Sequence, residues 1–276
     1  MSRFMSLDQE SVQTTLLEAN PEDFRLLAKA YRNIYQPAFP EADQRERLTD
    51  MKSYIQTNQA NAQQYLILVT NHQSASGYER PVGIATANRL TNADATIAFF
   101  EHAAIHPSYR GQGLWSTITK ARTEVVQQQA QQYGTKLAAI FAETEKPTLT
   151  LEEQTLPEER RTQTLEKRLN RRELFRKIRF SEDPQDKYYQ LDFNYVQLPV
   201  RDHAQSITNL DLLVRFDPES RDNYLASGVP GTLLQQWLEM YFASFEVEYN
   251  YREHPDFVKM ENELKELKNI PLKSII

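Results

Sequence analysis

The chain has 276 residues, 40% of them hydrophobic and 25% charged, with a formal net charge of -6. This balance suits a globular protein with a sizeable core and excludes a disordered chain, while the acidic surplus argues against a nucleic-acid partner, which needs a basic face to neutralise phosphates. The absence of cysteine excludes disulfides, thiolate metal ligands and a cysteine nucleophile, and a cationic partner such as an amine suits the charge better than a polyanion.

Residues 1–13 hold no apolar core of signal-peptide length, and no run approaches the roughly 20 apolar residues that a membrane span needs, so a cytoplasmic protein without a membrane span is expected. Residues 14–19 read as a short strand. Asn20-Pro21-Glu22-Asp23 then starts a helix, with Asn20 as cap and proline in the first turn, and Phe24, Leu27, Ala28, Tyr31 and Tyr35 follow at helical spacing until Pro37 and Pro40 end it. A second helix is expected over 44–56, with Leu48, Met51 and Ile55 inward.

The period then changes. Residues 65–69 and 82–87 are β-type runs joined by a polar turn at 72–77, and a third run at 96–105 is reached through Thr91-Asn92-Ala93-Asp94, which predicts an antiparallel meander. Residues 115–133 form a helix with Gly134 as its C-terminal cap, and 136–142 return as an apolar strand. A polar stretch at about 147–166 leads into a helix whose Lys167, Arg168, Arg171, Arg172, Arg176 and Lys177 read as a solvated face or, alternatively, as a phosphate site. Further strands are expected at 187–192 and 210–216. Beyond Asp217 the pattern is helical, with Leu233, Leu234, Trp237, Tyr241 and Phe245 on one stripe.

Only seven glycines occur, yet Gly111 and Gly113 stand two apart where a strand meets a long helix. Glycine there permits positive φ, so that backbone N–H groups can turn toward an anion, and the helix N-terminus adds free donors and the positive end of its dipole. A plain structural cap is the competing reading of such a turn.

The segment from Glu101 through His106-Pro107-Ser108-Tyr109-Arg110-Gly111-Gln112-Gly113-Leu114 resembles the acetyl-coenzyme A signature of the GNAT superfamily, the GCN5-related N-acetyltransferases. The resemblance covers roughly residues 12–217 and implies a mixed α/β fold with a mostly antiparallel central sheet flanked by helices. It divides the chain into an acyltransferase domain at 1–217, interrupted by a polar insertion at about 147–166, and a helical extension at 218–276. Extra surface of that kind suits a substrate lid, a peptide-docking groove or a homodimer contact.

The same resemblance implies acyl-coenzyme A, acetyl by default, as cosubstrate and an amine-bearing small molecule or peptide as acceptor, with no metal. Backbone groups of Ala103, Ala104 and Ile105 would pair with the pantetheine arm and assist the oxyanion. Arg110, Gly111, Gln112, Gly113, Leu114 and Trp115 would hold the pyrophosphate. Glu101 takes the place of the carboxylate that acts as general base, with a solvent-facing strand residue as the bland alternative. Glu143 is second, as base or as a contact for a cationic substrate. Strand alternation sets His102 on the opposite face from Glu101, as a structural histidine. Three residues depart from the family pattern: Trp115 replaces a small residue, Arg179 replaces a glycine, and Phe175 replaces the tyrosine that serves as general acid. Tyr188 and Tyr189 are the substitutes for that acid, although packing explains most of the 14 tyrosines. A coenzyme-binding sensor, an interaction protein that has lost the ligand, and a transferase of longer acyl chains to a lysine-like side chain are the alternative readings.

Overall fold

A computed structural model describes residues 12–40, 45–57, 61–71, 80–198, 206–244 and 250–275. The turn expected at 72–77 and Phe245 lie outside them. The chain divides into two compact units, Met1–Leu137 and Ala138–Ile276.

The first unit starts with strand β1 (Val12–Leu16) and helix α1 (Pro21–Ala30). Asn20 caps α1 by accepting the Asp23 N–H at 2.9 Å. The helix does not stop there: a π-helical turn, Tyr31–Tyr35, leads into the short α2 (Gln36–Ala38). Pro37 has no N–H for the Asn33 carbonyl, and the widened turn just before it places Ile34 and Tyr35 side by side in the core. Helix α3 (Leu48–Gln56) begins later than expected, because Arg47 at its N-cap is extended.

Strands β2 (Ala62–Asn71), β3 (Arg80–Thr91) and β4 (Thr96–Phe99) form the predicted antiparallel meander, and β1 pairs antiparallel with β2. The run expected to continue to residue 105 is broken. A separate strand, β5 (Ala103–Ile105), pairs with β3 further along. On one side Leu66, Leu68, Ile84 and Ala104 pack against Leu26, Leu27, Ile34, Tyr35 and Met51. Val69, Val82 and Ala85 pack against Tyr109, Leu114 and Ile118, the last two from helix α4 (Leu114–Gln132). A Cβ on Gly83 would stand 2.8 Å from Ile118 Cδ1, so glycine is what lets α4 lie this close to β3.

The second unit is built on β6 (Leu137–Glu145), which lies antiparallel to the later strand β8 (Leu210–Phe216). Between them run helix α5 (Glu158–Lys177) and β7 (Tyr189–Leu191), itself antiparallel to β8. The basic face of α5 is not wholly solvated. Arg168 and Arg172 are 4% and 3% exposed, and both are paired. Arg168 grips Glu153 with two bonds of 2.7 and 2.9 Å, and Arg172 donates to Asp211 at 2.6 Å and to Gln190 at 2.8 Å. These guanidiniums are committed to internal partners, which removes them as a phosphate site.

Residues beyond 217 contain helices α6 (Pro218–Ser227), α7 (Gly231–Ala243) and α8 (Pro255–Glu266). They also contain three two-residue strands that pattern reading does not place: β9 (Val229–Pro230) pairs with β10 (Asn269–Ile270), and β11 (Leu272–Lys273) joins the free edge of β7. Strands this short carry no period for a sequence pattern to register. Trp237 of α7 meets Phe141 of β6 edge to face, with centroids 5.7 Å apart. No helix among the described residues is long and apolar enough to cross a membrane.

Candidate active site

The turn between β5 and α4 adopts the backbone that its glycines permit. Gly111 has φ 76° and Gly113 φ 80°, both left-handed. Tyr109 and Leu114, on either side, are buried in the core and anchor the loop. Arg110 Nε donates to the Ile105 carbonyl at 3.2 Å and Gln112 Nε2 to that of Ser108 at 3.4 Å, which tie the loop to itself. Among the described residues, the backbone N–H groups of Gly111, Gly113 and Leu114 meet no protein acceptor. A Cβ built on either glycine would meet no atom within 4 Å, the Trp115 indole included, so space lies open beside these donors.

The positive end of the 19-residue α4 dipole faces the same turn, with Arg110 exposed beside it. Burial, and then the charges of Arg80 and Arg110, hold His106 below its ordinary pKa, and its Nδ1 accepts the Ser108 N–H at 3.3 Å.

Strand β5 completes this region. Thr86 N donates to the His102 carbonyl and His106 N to that of Val82, both at 2.9 Å. In the antiparallel alternation Ile84 and Ala104 form the hydrogen-bonded pair between them. Ala103 and Ile105 therefore direct their backbone groups away from β3, whereas Ala104 is committed to it.

Between β4 and β5 the strand bulges, because Thr86 and Ala87 of β3 face three residues, Phe100, Glu101 and His102. Thr86 stitches the bulge: its Oγ1 accepts the His102 N–H at 3.1 Å, and its carbonyl accepts Arg122 Nη1 of α4 at 3.4 Å. The extra residue cancels the alternation that would set His102 opposite Glu101. Instead the ligating atoms of Glu46, Glu101 and His102 all lie within 4.8 Å of one another.

One Gln64 amide donates to both carboxylates, at 3.2 Å each. The Tyr31 hydroxyl donates to the Glu46 carbonyl at 3.0 Å, and the Tyr35 hydroxyl accepts the Glu46 N–H at 3.2 Å, so the π-turn fixes the backbone of this residue. Burial lifts the Glu46 carboxyl above its ordinary range. Burial likewise lifts the Tyr54 hydroxyl, and the charges of Glu46 and Glu101 add to the effect. Sequence reading missed Glu46, which sits in an irregular segment without periodicity.

The model of the acetyltransferase (GNAT) family matches residues 28–148, a span that contains both the turn and the bulge. These residues form a GNAT domain. Among solved structures the chain is similar to an aminoglycoside acetyltransferase from an uncultured soil metagenomic sample in complex with sisomicin, at 14% identity over 48% of this chain and 77% of that one, with TM-score 0.36. It is also similar to a putative GNAT acetyltransferase of Desulfovibrio desulfuricans, at 12% identity over 74% and 96% of the two chains, with TM-score 0.36. For Ard1 from Thermoplasma volcanium the identity is 11%, the coverage 75% and 97%, and the TM-score 0.39. No curated protein matches the chain.

Within the GNAT span but in the second unit, Glu143 of β6 accepts a hydrogen bond from the Tyr195 hydroxyl. Burial pushes the Glu143 carboxyl up to about 7, against the opposing effect of Tyr195. Tyr189 lies beyond the GNAT span, and its hydroxyl is engaged by its own turn, 2.7 Å from Gln185 Oε1 and 3.0 Å from the Gln185 carbonyl. The hydroxyl on Glu143 is that of Tyr195, which sequence reading did not single out. Phe175 packs edge-on against Tyr188, with centroids 5.5 Å apart.

A folded-state pKa raised from 4.5 to about 7 means that Glu143 stabilises the fold fully below about pH 4.5 and loses that contribution as pH rises through 7. The loss is on the order of 3 kcal/mol. Urea unfolding at pH 5 and pH 8 should show a smaller pH difference for Glu143→Gln than for the unchanged chain; equal differences would remove Glu143 as the cause.

Proposed function

We propose that the protein is an N-acyltransferase that moves an acyl group, acetyl by default, from acyl-coenzyme A to a primary amine. The observation that carries this reading is the turn 110–113. Its two left-handed glycines and the N–H groups of Gly111, Gly113 and Leu114, without protein acceptors among the described residues, match what a pyrophosphate requires. In the proposed complex Arg110 and Gln112 flank the phosphates, and Trp115 lies along the coenzyme rather than in the cradle. Ala103 and Ile105 pair with the pantetheine arm, with Ala104 supporting them from β3.

Acyl transfer needs a neutral amine at the thioester carbon. Glu101 takes the proton of the ammonium, directly or through water. The C–N bond then forms, the C–S bond breaks, and the leaving thiolate takes up the proton that the attacking nitrogen sheds. N–H groups on β5 stabilise the oxyanion that develops between these events.

Thermal unfolding with and without acetyl-coenzyme A tests the first half of the proposal. A ligand at about 100 times its Kd stabilises the folded state by about 2.7 kcal/mol, so an unchanged melting temperature at saturating ligand would sink it. Coenzyme A release across a panel of amines tests the second half. Phe175, packed on Tyr188 where the family pattern has a tyrosine, favours a sensor as the second reading. Binding without release on any amine would decide for that sensor.

A further inference from the structure

We propose that the acceptor binds as an alkylammonium held between the carboxylates of Glu46 and Glu101 beside His102, with Glu46 as the residue that selects for its charge. The inference rests on the acyltransferase reading and deepens it by naming the form of the amine and a second carboxylate for it.

Four observations support the site. Glu46 Oε2 is buried and meets no donor in hydrogen-bond geometry among the described residues, the Tyr54 hydroxyl acting on this carboxyl besides Gln64, so a bound N–H donor would add a bond there. The neighbouring cations are engaged elsewhere: Arg47 pairs with Asp50 at 2.8 Å, and Arg45 donates to the carbonyls of Phe39 and Pro40 at 3.3 and 2.7 Å. The Gln64 amide holds both carboxylates, and the two tyrosine hydroxyls hold the backbone of Glu46, before any ligand arrives. Finally, Tyr35 and Phe39 present their rings to His102 at centroid distances of 5.5 and 5.0 Å, which supplies an aromatic wall beside the acids.

The chemistry of the occupant follows from this set. An alkylammonium brings three N–H donors to two carboxylates and an imidazole, and an aliphatic stem to aromatic rings. A divalent metal ion fits less well. For a tetrahedral zinc ion, His102 Nδ1 and Glu46 Oε1, 3.9 Å apart, are wider than ligands that share one ion at roughly 2 Å each, and the wall is apolar. An amine with its own adjacent carboxylate would meet repulsion from both acids, so amines without one are selected.

The test is calorimetric titration of the full chain and of Glu46→Gln with n-butylamine, n-butanol and zinc chloride. It is combined with acceptor kinetics and with the acetyl-coenzyme A melting shift as a check on folding. The expected result is that butylamine binds, butanol binds at least about tenfold more weakly, and Glu46→Gln weakens butylamine about tenfold. In turnover the same variant raises the acceptor KM about tenfold, with a smaller effect on kcat, and Glu46→Asp recovers part of the loss. Equal butylamine binding by the unchanged chain and Glu46→Gln, or zinc binding in place of the amine, overturns the inference. Loss of the acetyl-coenzyme A shift in the unchanged chain defeats the acyltransferase reading instead, while the amine titration still reports on the site.

Discussion

Glu101→Gln is expected to lower kcat by about 100-fold or more, the usual range for removal of a positioned general base being 10²–10⁴, while acetyl-coenzyme A still raises the melting temperature. The substitution keeps the size of the side chain and its ability to meet the Gln64 amide 3.2 Å away, but it removes the site that accepts a proton. Its position makes the expectation specific. The bulge at Phe100–His102 turns Glu101 toward Glu46, beside the strand whose outer backbone groups would receive the acyl donor. An unchanged rate and pH profile would remove Glu101 from the mechanism. A lost coenzyme shift would show instead that the variant had disturbed the neighbouring strand.

Gly113→Val is expected to weaken acetyl-coenzyme A binding by about 100-fold or more, equivalent to about 2.7 kcal/mol. Two effects act in the same direction. At φ 80° a β-branched residue costs about 1–3 kcal/mol, which the loop relieves by rotating the Leu114 N–H out of line. The new side chain also enters the open space beside the turn, where the proposed pyrophosphate lies. Calorimetry with acetyl-coenzyme A should show the loss, and circular dichroism should show the helices retained. A Kd within threefold of the unchanged chain would mean that the turn is only a cap.

The contrast between these two residues explains how much was legible beforehand. The glycine turn is a local statement, since two glycines ahead of a long helix permit positive φ, free N–H groups and set a dipole end within five residues of chain. The meander of β2, β3 and β4 was legible for a related reason, because short β-type runs separated by polar turns are themselves the signal. The buried pairing of Arg168 and Arg172 was not, since a guanidinium on a helix reads the same whether its carboxylate partner is solvent-exposed or packed beneath it.

The sequence by itself determined the turn and the order of the main strands and helices, and its resemblance to the GNAT superfamily implied Glu101 as a candidate base. Only the tertiary structure decided what Glu101 lies beside. One extra residue in the strand reversed the predicted side of His102, and a π-turn before Pro37 brought two tyrosine hydroxyls onto the backbone of Glu46. Residues 46 and 101 are joined by contacts across the fold rather than by any spacing along the chain, and a bulge or a π-turn shifts which side chains meet while leaving the amino-acid pattern that reports helix and strand almost unaltered.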